Sequence, residues 1–159
     1  MKTLVSAFIS SRIDYCNSVF AGISDQLLQR LQTIQNAAAR LITGARRSQH
    51  MTPILRQLQW LPIRQRILFK TAVLVYKCQH GMAPSYRLTY CMPTSSHDGR
   101  CHLRSAAFGL LSVPRTTTNY GDRSFAVSGP TVWNSLPAAL RLDMSLPVFR
   151  ARLKTFLMT

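Results

Sequence analysis

Between Ser24 and Gly44 the apolar residues Leu27, Leu28, Leu31, Ile34, Ala38, Leu41 and Ile42 recur at steps of three and four. That spacing follows the helical turn, and a strand cannot use it, because a strand turns its side chains over at every second residue. Gln26, Gln29, Arg30, Gln32, Asn36 and Arg40 fill the opposite face. Ser24 stands where an N-cap is needed, and Asp25 follows in the first turn, where a negative charge suits the helix dipole. Gly44 offers a C-terminal stop.

Similar patterns predict the neighbouring elements. Leu4, Phe8, Ile13 and Val19, with Val5 and Ile9, mark an apolar stripe that ends before Gly22. Residues 1–12 have some of the composition of a signal or transit segment. Serines interrupt the apolar run, however, and the stripe continues through Tyr15 and Val19, so the segment reads as amphipathic helix. Residues 45–50 form a basic loop. Thr52 and Pro53 suit the N-cap and first position of a short helix, which Trp60-Leu61-Pro62 breaks. A long helix should then run from Pro62 to about His80 through Ile63, Ile67, Leu68, Val73, Leu74 and Tyr76, with Gly81 ending it. Its near-continuous apolar stretch predicts burial on most sides, and Pro84 can open one more turn. Pro93, Ser95, Ser96, Asp98 and Gly99 mark residues 92–104 as a linker. Beyond it, residues 110–115 and 124–127 look like two short strands, with turn chemistry from Asn119 and Gly121 between them. Residues 131–135 fit one turn behind Pro130. Ser145 should cap a last helix with Val148, Phe149, Leu153, Phe156 and Leu157 as its apolar face and Arg150, Arg152 and Lys154 outward. The expected fold is mainly α: a small helical bundle over residues 1–91, the linker, and a C-terminal segment over 105–159 with a short β-hairpin and a final helix.

Charge narrows the partners. The chain has 20 Lys and Arg, five acids and a formal net charge of +15. All basic residues except Lys2, Lys70, Lys77 and Lys154 are arginine, and all the acids are aspartate: Asp14, Asp25, Asp98, Asp122 and Asp143. So few acids cannot pair with so many arginines. A guanidinium keeps its charge and presents planar donors that match phosphate oxygens, which makes nucleic-acid backbone the leading partner. No segment approaches the roughly 20 apolar residues of a membrane span. Cys16, Cys78, Cys91 and Cys101 include no C-x-x-C pair, and a chain of this size and apolar content does not need disulfide staples. They read as reduced thiols in a cytoplasmic or nuclear setting.

Catalytic patterns are missing. Two-metal chemistry needs clustered carboxylates, and the five aspartates are far apart in sequence, with no Asp-Asp doublet. No nucleophile elbow frames any serine or cysteine. Cys91, His97, Cys101 and His102 suggest a zinc site, but no knuckle spacing occurs and adjacent Cys101 and His102 cannot easily share one ion. No metal and no cofactor is expected. Arg40, Arg46 and Arg47 cluster at the end of the first long helix, and Arg64, Arg66 and Lys70 at the start of the next. Such groups can line a phosphate backbone without reading bases. Arg115 and Arg123 flank the expected hairpin, where they could share a face with Tyr120. Trp60 and Trp133 sit among apolar neighbours at element boundaries and read as core anchors.

Several phrases point to a family. They are Gln35-Asn-Ala-Ala-Ala-Arg-Leu-Ile42, Trp60-Leu-Pro-Ile-Arg-Gln-Arg66, Arg104-Ser-Ala-Ala-Phe-Gly-Leu-Leu-Ser-Val-Pro-Arg115, Tyr120-Gly-Asp-Arg-Ser-Phe-Ala-Val127 and Pro130-Thr-Val-Trp-Asn-Ser-Leu-Pro137. Over about residues 11–156 the chain resembles the C-terminal end of the polyprotein of jockey-like LINE (non-LTR) retrotransposons, downstream of the reverse-transcriptase palm. The resemblance implies that residues 27–42 and 62–77 are helices of a polymerase thumb. It places residues 110–127 and 145–157 in the C-terminal segment. It supplies no catalytic residue. The palm is missing, residues 86–90 are more polar than that family's helix there, and the chain stops at Thr159, which together imply a truncated element copy. The expected function is non-catalytic binding of RNA or DNA backbone, without sequence preference, by Arg40, Arg46, Arg47, Arg64, Arg66, Lys70, Arg115 and Arg123. The alternative is a structural remnant or interaction module whose exposed apolar faces self-associate.

Overall fold

The computed structural model describes residues 2–96 and 109–158. The N-terminal helical segment is α1 (Lys2–Val5), a π-helical turn (Ser6–Ser10) and α2 (Ser11–Asp14). Cys16 then takes a left-handed φ of 50°, and a 3₁₀ turn (Asn17–Phe20) follows. The first long helix, α3 (Asp25–Thr43), ends at Gly44, whose N–H makes a last helical bond to the Arg40 carbonyl at 2.8 Å and whose left-handed φ of 69° then turns the chain away. Ser24 holds the N-cap position with extended backbone, but its hydroxyl makes no capping bond. After the basic loop come α4 (Met51–Gln57), which starts one residue before Thr52, and α5 (Ile63–Gln79). Gly81 closes α5 at a φ of 66°, with the Met82 N–H on the Lys77 carbonyl at 2.8 Å. The remaining elements are α6 (Ser85–Leu88), α7 (Asn119–Asp122), α8 (Phe125–Ser135), a 3₁₀ turn (Ala138–Leu140) and α9 (Leu146–Met158).

Helix α5 is the centre of the fold. It buries Ile63, Ile67, Thr71, Ala72, Val75, Tyr76 and Cys78, and it packs against α3, α8, α9 and the turn Asn17–Phe20. Its core joins Val75 and Tyr76 to Leu111, Trp133, Leu136, Phe149 and Leu153, so residues from both sides of the expected linker share one apolar cluster. Tyr76 stacks on Phe149 with ring centroids 4.5 Å apart, and Phe149 meets Trp133 at 5.9 Å. Trp133 is a buried anchor, whereas Trp60 is only half-buried.

The mainly helical expectation holds, but the hairpin does not. Among the described residues there is no strand, only an isolated bridge between Pro93 and Leu111. Residues 110–112 pair briefly with 92–94 instead of with 124–127 (Thr94 N to Leu110 O, 2.9 Å; Ser112 N to Met92 O, 2.9 Å). The expected turn is α7, capped by the Thr118 hydroxyl, which accepts the Gly121 N–H at 3.1 Å. The expected second strand is the start of α8, and the single turn expected behind Pro130 is that helix's end.

Pro130 lies inside α8, and a residue before proline normally avoids helical backbone because its Cβ meets the proline ring. That residue is Gly129, which has no Cβ. The same glycine lets α8 approach α5 closely, since a Cβ there would stand 3.2 Å from Val75 Cγ2 and from the Phe125 ring. Two side chains replace strand pairing for residues 109–111. Asn134 accepts the Leu111 N–H at 2.9 Å and donates to the Leu111 carbonyl at 2.8 Å, and Trp133 Nε1 donates to Gly109 O at 3.1 Å.

Candidate nucleic-acid interface

The C-terminal end of α3 builds the clearest basic surface. Gly44 turns the chain, and residues 45–50 carry Arg46 and Arg47 into solvent. The loop is held from within: Gln49 Oε1 accepts the Arg46 N–H at 3.0 Å, and Arg40 Nη2 reaches the Arg47 carbonyl at 3.4 Å. Arg40 is half-buried and its Nε is shut off from water without a partner. It braces the loop and leaves Arg46 and Arg47 as the outward charges. Neither of those two is ion-paired among the described residues.

The other expected cluster has a different character. Two glutamines of α3, buried Gln35 and half-buried Gln32, fix the start of α5. Gln35, 1% exposed, donates to the Leu61 carbonyl at 2.8 Å, and Gln32 Oε1 accepts the Ile63 N–H at 2.9 Å. This clamp points the first turn of α5 toward the first turn of α3, where Arg64 pairs with Asp25. Arg66 approaches Asp14 at 3.2 Å, with Arg66 Nη1 and Asp14 Oδ1 both closed to water. The geometry holds those two atoms by charge without a hydrogen bond. Lys70 follows one turn later, half-buried.

The two clusters therefore do not form one patch. Arg64 meets α3 at Asp25, and the Arg47 loop meets it at Arg40, which at 1.5 Å rise per residue separates them by about 22 Å. Arg115 stands exposed on an extended segment. Arg123 is half-buried: its side chain lies over Gly22, where a Cβ would come within 2.8 Å of Arg123 Cγ, and its Nε donates to the Ala21 carbonyl at 3.3 Å. It ties α7 to the N-terminal segment. Tyr120 nearby is exposed.

Five arginines exposed among the described residues fall outside the expected site: Arg12, Arg30, Arg56, Arg150 and Arg152. Arg30 projects from α3, and Arg150 and Arg152 from α9. The signal was present for the α9 pair, because no acid follows Asp143.

No group of three or more His, Cys, Asp or Glu among the described residues could hold a metal ion. Of the residues weighed as zinc ligands, His97, Cys101 and His102 lie outside the described residues. Cys91 is buried in hydrogen-bond contact with Cys78. Burial, and then the neighbouring Cys78, push the Cys91 thiol up to about 12, and burial raises Cys78 as well. Such thiols are poor nucleophiles and poor ligands. No described helix is long and apolar enough to cross a membrane.

No family model matches the chain, and neither a curated protein nor a solved structure matches it.

Proposed function

We propose that this protein binds the backbone of RNA or DNA without catalysing a reaction, and that it derives from the post-palm segment of a LINE-type reverse transcriptase. The observation that carries the binding reading is the loop at the end of α3, where Arg46 and Arg47 face solvent without an ion pair among the described residues, in a chain of net charge +15. Arg40 positions that loop. Arg115, Arg30, Arg150 and Arg152 add exposed cations elsewhere. Arg64 and Arg66, already held by Asp25 and Asp14, contribute less. Contacts of this kind reach phosphates and not base edges, so sequence preference is weak. A cytoplasmic or nuclear location follows from the same partner.

The test is binding of a labelled RNA–DNA hybrid by the purified protein from low to high salt. Tight binding that weakens steeply with salt is expected. Weak binding that salt does not change sinks the proposal.

A second reading rests on a separate observation. Leu27, Ile34 and Leu41 recur every seven residues along α3 and are all exposed, and Leu4 and Phe8 on the N-terminal segment are 76% and 70% exposed. Exposed apolar stripes of this kind mark association surfaces. Sedimentation of the protein without nucleic acid tests this reading: a concentration-dependent rise in mass supports it, and a monomer at all concentrations removes it.

A further inference from the structure

A cleft of about 670 Å³ opens between residues 20–23, the first turns of α3, the middle of α5 and α8. Phe20, Ile23, Leu28, Ile67, Leu68 and Val132 give it apolar walls. Its volume falls in the range of small-molecule sites, which run from about 300 to 1,000 Å³. Two of the chain's five acids, Asp25 and Asp122, line it as well. Asp25 is taken by Arg64, which also lines the cleft. Asp122 is different. Asp14, Asp25 and Asp143 each have a basic side chain beside them, whereas Asp122 has no ion pair among the described residues. The Thr116 hydroxyl donates to its Oδ1 and orients the carboxylate. In a chain with 20 Lys and Arg, this exposed carboxylate at the edge of an apolar cleft thus has no ion pair among the described residues.

We propose that this cleft binds an amphiphilic amine, with the apolar body between α5 and α8 and the ammonium against Asp122. Elsewhere the surface favours anions, so a preference for a cation here can come only from the local carboxylate. The protein's overall positive field opposes an approaching ammonium, but at 0.15 M salt it is screened over about 8 Å. The proposal is independent of nucleic-acid binding and does not use Arg46 or Arg47.

The experiment is calorimetric titration of the full chain at 0.15 M salt with three probes of one shape: 4-phenylbutylamine, 4-phenylbutanol and 4-phenylbutyrate. The amine should bind about two- to fivefold more tightly than the alcohol, the range an exposed ion pair supplies, and the butyrate should bind most weakly. Asp122→Asn should bring the amine to the level of the alcohol and leave the alcohol unchanged. That variant keeps an acceptor for Thr116, and circular dichroism checks its fold. Leu68→Trp, which fills the cleft, should abolish binding of all three. The proposal is overturned if no probe binds the wild-type chain, if the butyrate matches the amine, or if Asp122→Asn leaves the amine's advantage intact.

Discussion

Two pairs of arginines carry the same formal charge but stand in different surroundings, and replacing each pair tests which of them meets phosphate. Arg46 and Arg47, on the loop after α3, have no ion pair among the described residues, while Arg64 and Arg66 are held by Asp25 and Asp14. Each phosphate contact contributes about 0.9 to the log–log slope of affinity against salt. Between 0.05 and 0.2 M salt the logarithm of concentration rises by about 0.6, so one contact weakens binding by roughly 3.5-fold and two by roughly 12-fold. Across that interval the wild-type chain should therefore lose about 12-fold more affinity than Arg46→Gln/Arg47→Gln.

Arg64→Gln/Arg66→Gln lowers the net charge equally, from +15 to +13 on subtracting two, but frees two carboxylates. Its slope should change by less than one phosphate contact. Fluorescence anisotropy of a labelled RNA–DNA hybrid measures both slopes. The Arg66 change leaves Asp14 Oδ1 buried without its partner charge, so the variant should lose about 1–3 kcal/mol of stability and must be assayed well below its unfolding temperature. Equal slopes for the two double variants would mean that net charge alone governs binding, and the assignment of Arg46 and Arg47 would fall.

Gln35→Ala should destabilise the fold by about 1–3 kcal/mol in urea unfolding, because it leaves the Leu61 carbonyl without its donor at the α3–α5 contact; an unchanged midpoint would mean that the clamp carries no energy. Gln59 holds a left-handed φ of 58°, so Gln59→Gly should raise stability by about 1 kcal/mol, and a fall in the unfolding temperature would refute the strain. In the unfolded chain Cys91 loses its proton near pH 9, but in the fold only near about 12. Between those values the folded state holds more protons than the unfolded one, so stability falls as pH rises, and Cys91→Ala should flatten that decline. Among the described cysteines, exposed Cys16 should alkylate at pH 8 while Cys78 and Cys91 stay protected; rapid labelling of Cys91 in the folded protein would contradict its burial.

The helices α3, α5 and α9 could be read from the sequence because each repeats its apolar residues over several turns and has a local stop or start. Gly44 and Gly81 take the left-handed backbone that their positions after a helical run suggest. The hairpin failed where the window was short. Phe125 and Val127 alternate with serine and alanine like a strand, yet the residues that reach the core are Gly129, Pro130, Trp133 and Leu136. Reading them together required carrying a helix through Pro130, and the rule against proline in a helix argued against that. The glycine before it removes one part of that cost, the contact between the proline ring and the preceding Cβ. The contact that uses this glycine, with Val75 of α5, is distant in sequence and invisible to any local pattern.

The basic site divides along the same line. Composition alone establishes that arginines outnumber acids, and that excess is the ground for proposing a phosphate partner. It cannot say which arginines the few aspartates occupy, because each pairing joins separate elements: Asp25 with Arg64, Asp14 with Arg66. Those pairings follow from the Gln32 and Gln35 clamp, which sets the direction in which α5 leaves α3. Glutamines in an amphipathic helix look like its solvated face, and the pattern puts Gln32 there. In the fold both turn inward, because the peptide groups flanking Pro62 need partners as α5 begins. The consequence reaches function. By drawing Arg64 and Arg66 toward aspartates at one end of the bundle, the clamp leaves the unpaired charge on the loop at the other end, about 22 Å away. At the 3.4 Å spacing of base pairs along B-form DNA, that distance spans about six pairs. The paired arginines are thus too far from the loop to reach a phosphate held there, and a duplex seated on Arg46 and Arg47 would engage them only by lying along α3.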